Sequence, residues 1–317
     1  MLSRTAENLF WVGRYLERAE TVARLLGVGS RNSLIPNTGG GFRNDWDAVL
    51  QASGSSVAFR AKYGEAVQRN VESFLFFDQE NASSVASCVE RARENGRIVR
   101  TALSGQVWDA LNGGFQEMRE LRRTERSKLS LSDLIDWTNR YAAHVRGAVE
   151  DTQLRNDGYD FMHIGMAIER ADATARMLDV KYFVLLPEAD YVGSGLDNYQ
   201  WWTILRAVSA QRAFGWAYGG DMTPAKIADF LILNRLSPRA LLTSVETILT
   251  HLERLSRGYG RSTPAQATAR RMVADLCEAQ VDDIFEEGLH EFLTRFIQEL
   301  AELSAIIRDV YLSGEAR

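Results

Sequence analysis

The stretch Phe10-Trp-Val-Gly-Arg-Tyr-Leu-Glu-Arg-Ala-Glu-Thr-Val-Ala-Arg24 returns as Met162-His-Ile-Gly-Met-Ala-Ile-Glu-Arg-Ala-Asp-Ala-Thr-Ala-Arg176. Gly13, Glu17, Arg18, Ala19, Ala23 and Arg24 meet the same residue types at Gly165, Glu169, Arg170, Ala171, Ala175 and Arg176. The correspondence continues along the chain. Pro36 follows Leu34-Ile35 as Pro187 follows Leu185-Leu186, and Trp46 falls opposite Trp202. Residues 74–81 pair with 230–237, and 131–154 with 289–312, which sets Asp151 opposite Asp309. A repeat of roughly 150 residues is too long for a solenoid of small stacked units. We read two tandem copies, 1–155 and 156–317, that build one pseudo-two-fold body.

The pattern within each copy is helical. Proline is scarce and sits where helices start: Thr223-Pro224, Ser237-Pro238 and Thr263-Pro264 each place a capping residue before proline at the first helical position. Ser130 with Asp133 resembles a capping box, and Asn81 holds the place of Ser237 in the other copy. Apolar residues recur at helical spacing after each start, and no run alternates with the period of a strand. The spacing predicts an all-α fold, with helices at 4–27, 45–77 (broken), 82–104, 106–126, 131–154, 158–180, 197–219, 223–234, 238–258, 264–285 and 286–312. Residues 28–44, with Gly39-Gly-Gly41, and 187–196, with Gly193 and Gly195, read as equivalent long loops.

The repeated helix carries charge inside an apolar surround. Phe161, Ile164, Ile168, Ala171, Ala175 and Leu178 form one stripe, and Met162, Met166, Ala167 and Met177 fill much of the remainder. A helix apolar nearly all round is a central, buried one. Gly165, Glu169, Asp172 and Arg176 then cluster on one side, as do Gly13, Glu17, Glu20 and Arg24 in the first copy. The glycines leave room for a neighbouring backbone or a ligand. Buried charges are costly unless paired. Glu20–Arg24 and Asp172–Arg176 are i,i+4 pairs. Glu17 and Glu169 have no partner on their own helix. Across a pseudo-two-fold axis Glu17 would meet Arg170 or Arg176, and Glu169 would meet Arg18 or Arg24. Two readings stay open: an ion-pair network that locks the halves together, and a polar central pocket for a charged ligand. In the second, Glu17 and Glu169 are the candidate acid–base residues, and Glu20, Arg18, Arg24, Arg170, Asp172 and Arg176 the candidate ligand-binding set. Trp11 and Tyr15 are candidates for its wall, although aromatics at helical spacing usually pack in a core.

Other signals narrow the function. A net charge of −5 gives no basic surface for nucleic acid, and no apolar run is long enough to span a bilayer. Met1-Leu-Ser-Arg-Thr-Ala-Glu7 lacks a secretory pattern, so we expect a cytoplasmic chain with Cys88 and Cys277 as free, buried thiols. Glu287-Gly-Leu-His290 matches one half of a helical di-iron motif, but none of the other histidines, His144, His163 and His251, has a glutamate three residues earlier. We therefore expect no metal. Gly27-Val-Gly29-Ser30 lacks the Gly-Lys-Ser/Thr ending of a P-loop, and no cofactor is indicated. His163 reads as a packed core histidine, and the mixed charges of 119–128 as a solvated helix end.

Taken as a set, Leu16-Glu-Arg-Ala-Glu20, Ile168-Glu-Arg-Ala-Asp172 running into Ala175-Arg-Met-Leu-Asp-Val-Lys-Tyr182, Ser87-Cys-Val-Glu-Arg-Ala-Arg-Glu-Asn95 and Trp108-Asp-Ala-Leu-Asn112 resemble the bacterial alpha-E proteins. That family is named for a helical domain with a repeated Glu-Arg motif. The resemblance covers essentially the whole chain and departs from its own repeat only in details, such as Asp172 where the first copy has Glu20. It implies an all-α fold. It also implies a genetic setting beside a circularly permuted ATP-grasp protein and a transglutaminase-like peptidase, sometimes with a proteasome-like protein. Such a setting implies amide-bond ligation to a peptide, protein or amino acid, whether this chain acts in the reaction or serves as an interaction scaffold.

Overall fold

The computed structural model describes residues 1–33, 45–183 and 195–313, and all secondary structure among them is helical. In chain order the helices are α1 (Ser3–Asn32), α2 (Asp45–Ala52), α3 (Ser56–Tyr63), α4 (Gln68–Glu72), α5 (Val85–Ile98), α6 (Gly105–Arg123), α7 (Leu131–Thr152) and α8 (Asp157–Phe183). They continue as α9 (Gly195–Ala207), α10 (Gln211–Tyr218), α11 (Pro224–Ile232), α12 (Leu241–Tyr259), α13 (Pro264–Glu278), α14 (Val281–Glu287) and α15 (Leu289–Ile307). Single π turns follow α4 at Ser73–Phe77 and α15 at Arg308–Leu312.

The two copies of the repeated sequence are α1 and α8, and they lie against each other at the centre. α1 packs against α5 and α7, which are linked through α6. α8 packs against α12 and α15, which are linked through α13. One continuous apolar core runs through both sets. On α8 the residues Phe161, Met162, Ile164, Met166, Ala167, Ile168, Ala171, Ala175, Met177 and Leu178 are all buried, as a helix without a solvent face requires. No helix among the described residues is long and apolar enough to cross a membrane.

Several boundaries differ from the sequence expectation, each for a local reason. Gly27 and Gly29 do not end α1; it continues to Asn32 because α2 needs close approach there. A Cβ at Gly29 would sit 2.8 Å from both Trp46 and Val49. The rest of the expected 28–44 loop lies outside the described residues, as does 187–194, while Gly195 and Leu196 begin α9. The expected helix over 197–219 divides at Ser209, whose φ of 56° is left-handed. Ser237 does not cap a helix from residue 238: its carbonyl accepts the Ala240 N–H at 3.1 Å in a turn, and α12 starts at Leu241. Asn81 likewise yields to Ser84, whose side chain accepts the Ser87 N–H and caps α5. The expected 264–285 helix breaks at Ala279, where ψ is 142°. Gly288, at φ 107°, then separates α14 from α15. Thr223 and Ser130 do cap α11 and α7, and Gln266 Oε1 accepts the Thr263 backbone N–H at 2.8 Å at the head of α13.

Candidate functional site

Where α1 crosses α8, the backbones approach each other through two glycines. A Cβ on Gly13 would strike the carbonyl oxygen of Met162, and one on Gly165 would strike that of Phe10. This closeness brings the carboxylate of each helix within reach of the arginines of the other.

Glu169 on α8 is 5% exposed and is held entirely from α1. Arg14 Nε donates to Oε2 at 2.5 Å, while Arg18 donates from Nε to Oε1 at 2.6 Å and from Nη2 to Oε2 at 3.0 Å. Arg14 also reaches Ser304 Oγ on α15 at 3.2 Å. Burial pushes the Glu169 carboxyl up, but Arg14 and Arg18 outweigh it, so the group titrates below its ordinary range. Next to it, Arg176 Nε donates to Asp172 Oδ2 at 2.8 Å.

Glu17 and Glu20 on α1, 0% and 2% exposed, form the other end. Arg170 on α8 donates through Nη2 to Glu17 Oε1. Arg146 on α7 donates through Nη1 to Glu17 Oε1 at 3.2 Å and to Glu20 Oε2 at 2.7 Å. Arg24 Nη2 donates to Glu20 Oε1 at 2.6 Å; its Nη1 reaches the Ala207 carbonyl, and Ser209 Oγ at 3.0 Å. Arg239, just ahead of α12, stands 3.2 Å from Glu20 Oε2 and 3.9 Å from Glu17 Oε2. Burial again raises the Glu20 carboxyl, and Arg24, Arg239 and Arg146 bring it far below the usual carboxylate range. Arg239 is depressed instead: burial and the neighbouring Arg24 and Arg170 outweigh Glu17 and Glu20.

The structure thus joins Glu17 to Arg170, Glu169 to Arg18, Glu20 to Arg24 and Asp172 to Arg176. Arg14, Arg146 and Arg239 are not among the residues that the sequence pattern singles out. Arg14 lies in the repeat but faces Met166 in the second copy, and Arg146 pairs with Ser304. At the offset that sets 74–81 against 230–237, Arg239 falls opposite Ser83, so symmetry points away from all three. The two ends differ for the same reason: α7 supplies an arginine to Glu17, whereas α15 supplies only the Ser304 hydroxyl, bonded to Arg14.

Other candidates resolve individually. Trp11 stacks on Tyr15 at 5.2 Å, and both pack on the edge of the core, with the Arg14 guanidinium 5.5 Å from the Trp11 ring. Cys88 is buried, and burial pushes its thiol up to about 12. Cys277 is exposed, contrary to the expectation of two buried thiols. Glu287 pairs with Arg295, and His290 Nδ1 lies 2.6 Å from Asp179. Among the described residues, no group of three or more His, Cys, Asp or Glu side chains is placed to hold a metal ion.

His163 lies between Tyr159, at 4.1 Å between ring centres, and His251, at 4.8 Å; His251 Nδ1 is 2.7 Å from Asp160. Burial lowers the His163 pKa to about 4, His251 and Arg170 add to this, and Glu150 and Asp160 oppose it. Its unfolded-state value is about 6.5. As pH falls through that value the unfolded chain binds the proton first, so stability declines between pH 6.5 and about 4. Denaturant midpoints measured across this window are expected to fall less steeply for His163→Gln than for the wild type. Equal slopes would show that His163 is not the group responsible.

Comparison with known proteins adds a family but no reaction. Uncharacterized proteins of Mycobacterium bovis and of two strains of Mycobacterium tuberculosis are 23% identical over 331 residues, an alignment that takes in 97% of this chain. The chain spans 36% of the length of these relatives. No solved structure matches. Residues 1–312 match Alpha-E, described as a predicted alpha-helical domain with a conserved ER motif. Two Glu-Arg dipeptides, Glu17-Arg18 and Glu169-Arg170, meet across the central crossing, and the chain belongs to the Alpha-E family.

Proposed function

We propose that this chain is a component of an ATP-grasp-linked amide-ligation or peptide-modification system, and that it holds a charged small molecule or peptide at the Glu/Arg cluster between α1 and α8. The observation that carries this reading is the mismatch around Glu17 and Glu20. Among the described residues, four guanidinium groups surround two carboxylates, and the arginine side chains stay between 11% and 25% exposed. A lock made only to join two halves needs no excess of one sign. The neighbour in this scheme is a circularly permuted ATP-grasp protein that activates a carboxylate as an acyl phosphate. This chain presents the peptide or amino acid, and a transglutaminase-like peptidase acts in the same system.

Of the two candidate acid–base residues, Glu17 is the better placed for chemistry. Its Oε2 is buried and outside any hydrogen bond, whereas both oxygens of Glu169 are taken by arginine. We assign Glu17 to accept a proton of the substrate. Glu169, with Arg18, Asp172 and Arg176, supports the cluster from the other side. Residues 1–155 and 156–317 are tandem copies in this scheme. The mutual approach of Gly13 and Gly165 supports that reading.

The scaffold reading has one observation in its favour. Each crossing carboxylate is paired with an arginine of the opposite helix, as a lock requires. ATP consumption by the ATP-grasp neighbour, against a panel of amino acids and peptides, separates the two. We expect the chain to stimulate turnover and the Glu17→Gln form, checked for folding, to lose most of that effect. Turnover by an active neighbour that is indifferent to this chain would favour the scaffold.

A further inference from the structure

We propose that the Glu17–Glu20 end of the cluster is a binding site for a phosphate-type dianion, formed by Arg24, Arg146, Arg170 and Arg239 at the start of α12. This deepens the reading of the cluster as a ligand site and rests on it. Four guanidinium groups against two carboxylates leave a surplus of two positive charges among the described residues. A buried surplus of this size calls for a counter-anion, and a single carboxylate would cancel only half of it.

Unused donors occur on two of these arginines and just ahead of Arg239 in the chain. Arg24 Nε and Arg170 Nε are buried with no hydrogen-bond partner, and so is the hydroxyl of Ser237, two residues before Arg239. The head of α12 adds to this. Ser84 caps α5, whereas Ala240 at the start of α12 offers no side-chain acceptor. The first N–H groups of a long helix, left without a cap, favour an anion. Forked guanidinium donors suit the several acceptor oxygens of a phosphoryl group. The Glu169 end carries a smaller surplus, with Arg14, Arg18 and Arg176 against Glu169 and Asp172, and both Glu169 oxygens are bonded.

The test is calorimetric titration of inorganic phosphate into the full chain at fixed ionic strength, with ADP and sodium acetate in parallel. Saturable binding of phosphate, at one site per chain, is the expected result, with acetate silent. Binding of ADP in place of free phosphate would mean a phosphoryl group carried on a nucleotide and would also support the site. Arg239→Met is expected to weaken binding by about tenfold or more, the scale of one charge-assisted hydrogen bond. Arg170→Lys keeps the charge but removes Nε, and is expected to weaken binding too; it covers the case in which the methionine variant does not fold. Absence of saturable binding by phosphate and ADP alike, or affinities unchanged in both variants, would overturn the proposal. Failure here is distinguishable from failure of the ligation scheme. Phosphate binding without any effect on the neighbour's ATP turnover removes ligation and keeps the site. Chain-dependent turnover without phosphate or ADP binding does the reverse.

Discussion

Replacing Gly165 with alanine is expected to lower the stability of the folded chain by about 3 kcal/mol, and leucine there is expected to prevent folding. In an open helical position the same change is favourable, because alanine gains up to about 1 kcal/mol over glycine in a helix. Gly147 on α7 is such a position, with nothing within 4 Å of an added methyl. At Gly165 the methyl meets the Phe10 carbonyl oxygen, and backbone cannot rotate aside as a side chain does. α1 and α8 must separate, and overpacking of this kind costs roughly 1–3 kcal/mol or more. Separation also lengthens the ion pairs on both sides of the crossing. Gly13→Ala is expected to behave like Gly165→Ala. Denaturant unfolding of Gly147→Ala and Gly165→Ala side by side checks the claim: the first gains slightly and the second loses. Two small effects of the same sign would show that the crossing tolerates more space than its geometry indicates.

Glu169→Gln is expected to cost roughly 3–5 kcal/mol, the range for removing one partner from a buried ion pair. Glutamine keeps the shape but not the charge, so Arg14 and Arg18 lose their shared counter-ion. Both guanidinium groups are otherwise held within the protein surface, where an uncompensated charge is poorly solvated. The pH dependence follows from the same pair. Because the folded-state pKa of Glu169 is depressed, its contribution is present above the ordinary carboxylate range. It is lost as pH falls through the folded-state value. Unfolding curves at neutral pH should therefore separate wild type from Glu169→Gln widely, and the gap should close in strong acid. A variant as stable as wild type at neutral pH would show that the arginines find water or other partners without cost.

The sequence carried the central crossing because that crossing is written twice. Spacing alone put Glu20 against Arg24 and Asp172 against Arg176, and the repeat put Glu17 near Arg170 or Arg176 and Glu169 near Arg18 or Arg24; the structure contains the first two pairs and takes Arg170 and Arg18 for the others. Reading by symmetry also hid what is asymmetric. Arg14, Arg146 and Arg239 have no like residue in the opposite copy and reach the cluster only through tertiary packing of α1, α7 and the head of α12. Glycine misled in the other direction. Gly27 and Gly29 look like the end of a helix, yet at Gly29 Trp46 and Val49 come down onto α1. Ser237-Pro238 has the composition of a helix start, but the chain spends those residues on a turn, and this leaves Arg239 beside Glu20. The asymmetry is thus largest at the Glu17 end of the crossing, where the positive excess is the greater of the two.

That excess is the central claim, and one measurement addresses it directly: the thermal midpoint of Arg239→Met against wild type in phosphate-free buffer of low ionic strength. If Arg239 is a surplus cation waiting for an anion, its removal relieves repulsion with Arg24 and Arg170 and still leaves Arg24, Arg146 and Arg170 to neutralise Glu17 and Glu20. The variant should then melt at or above the wild-type midpoint. A marked drop would contradict the account and make Arg239 one more strut in a closed ion-pair lock.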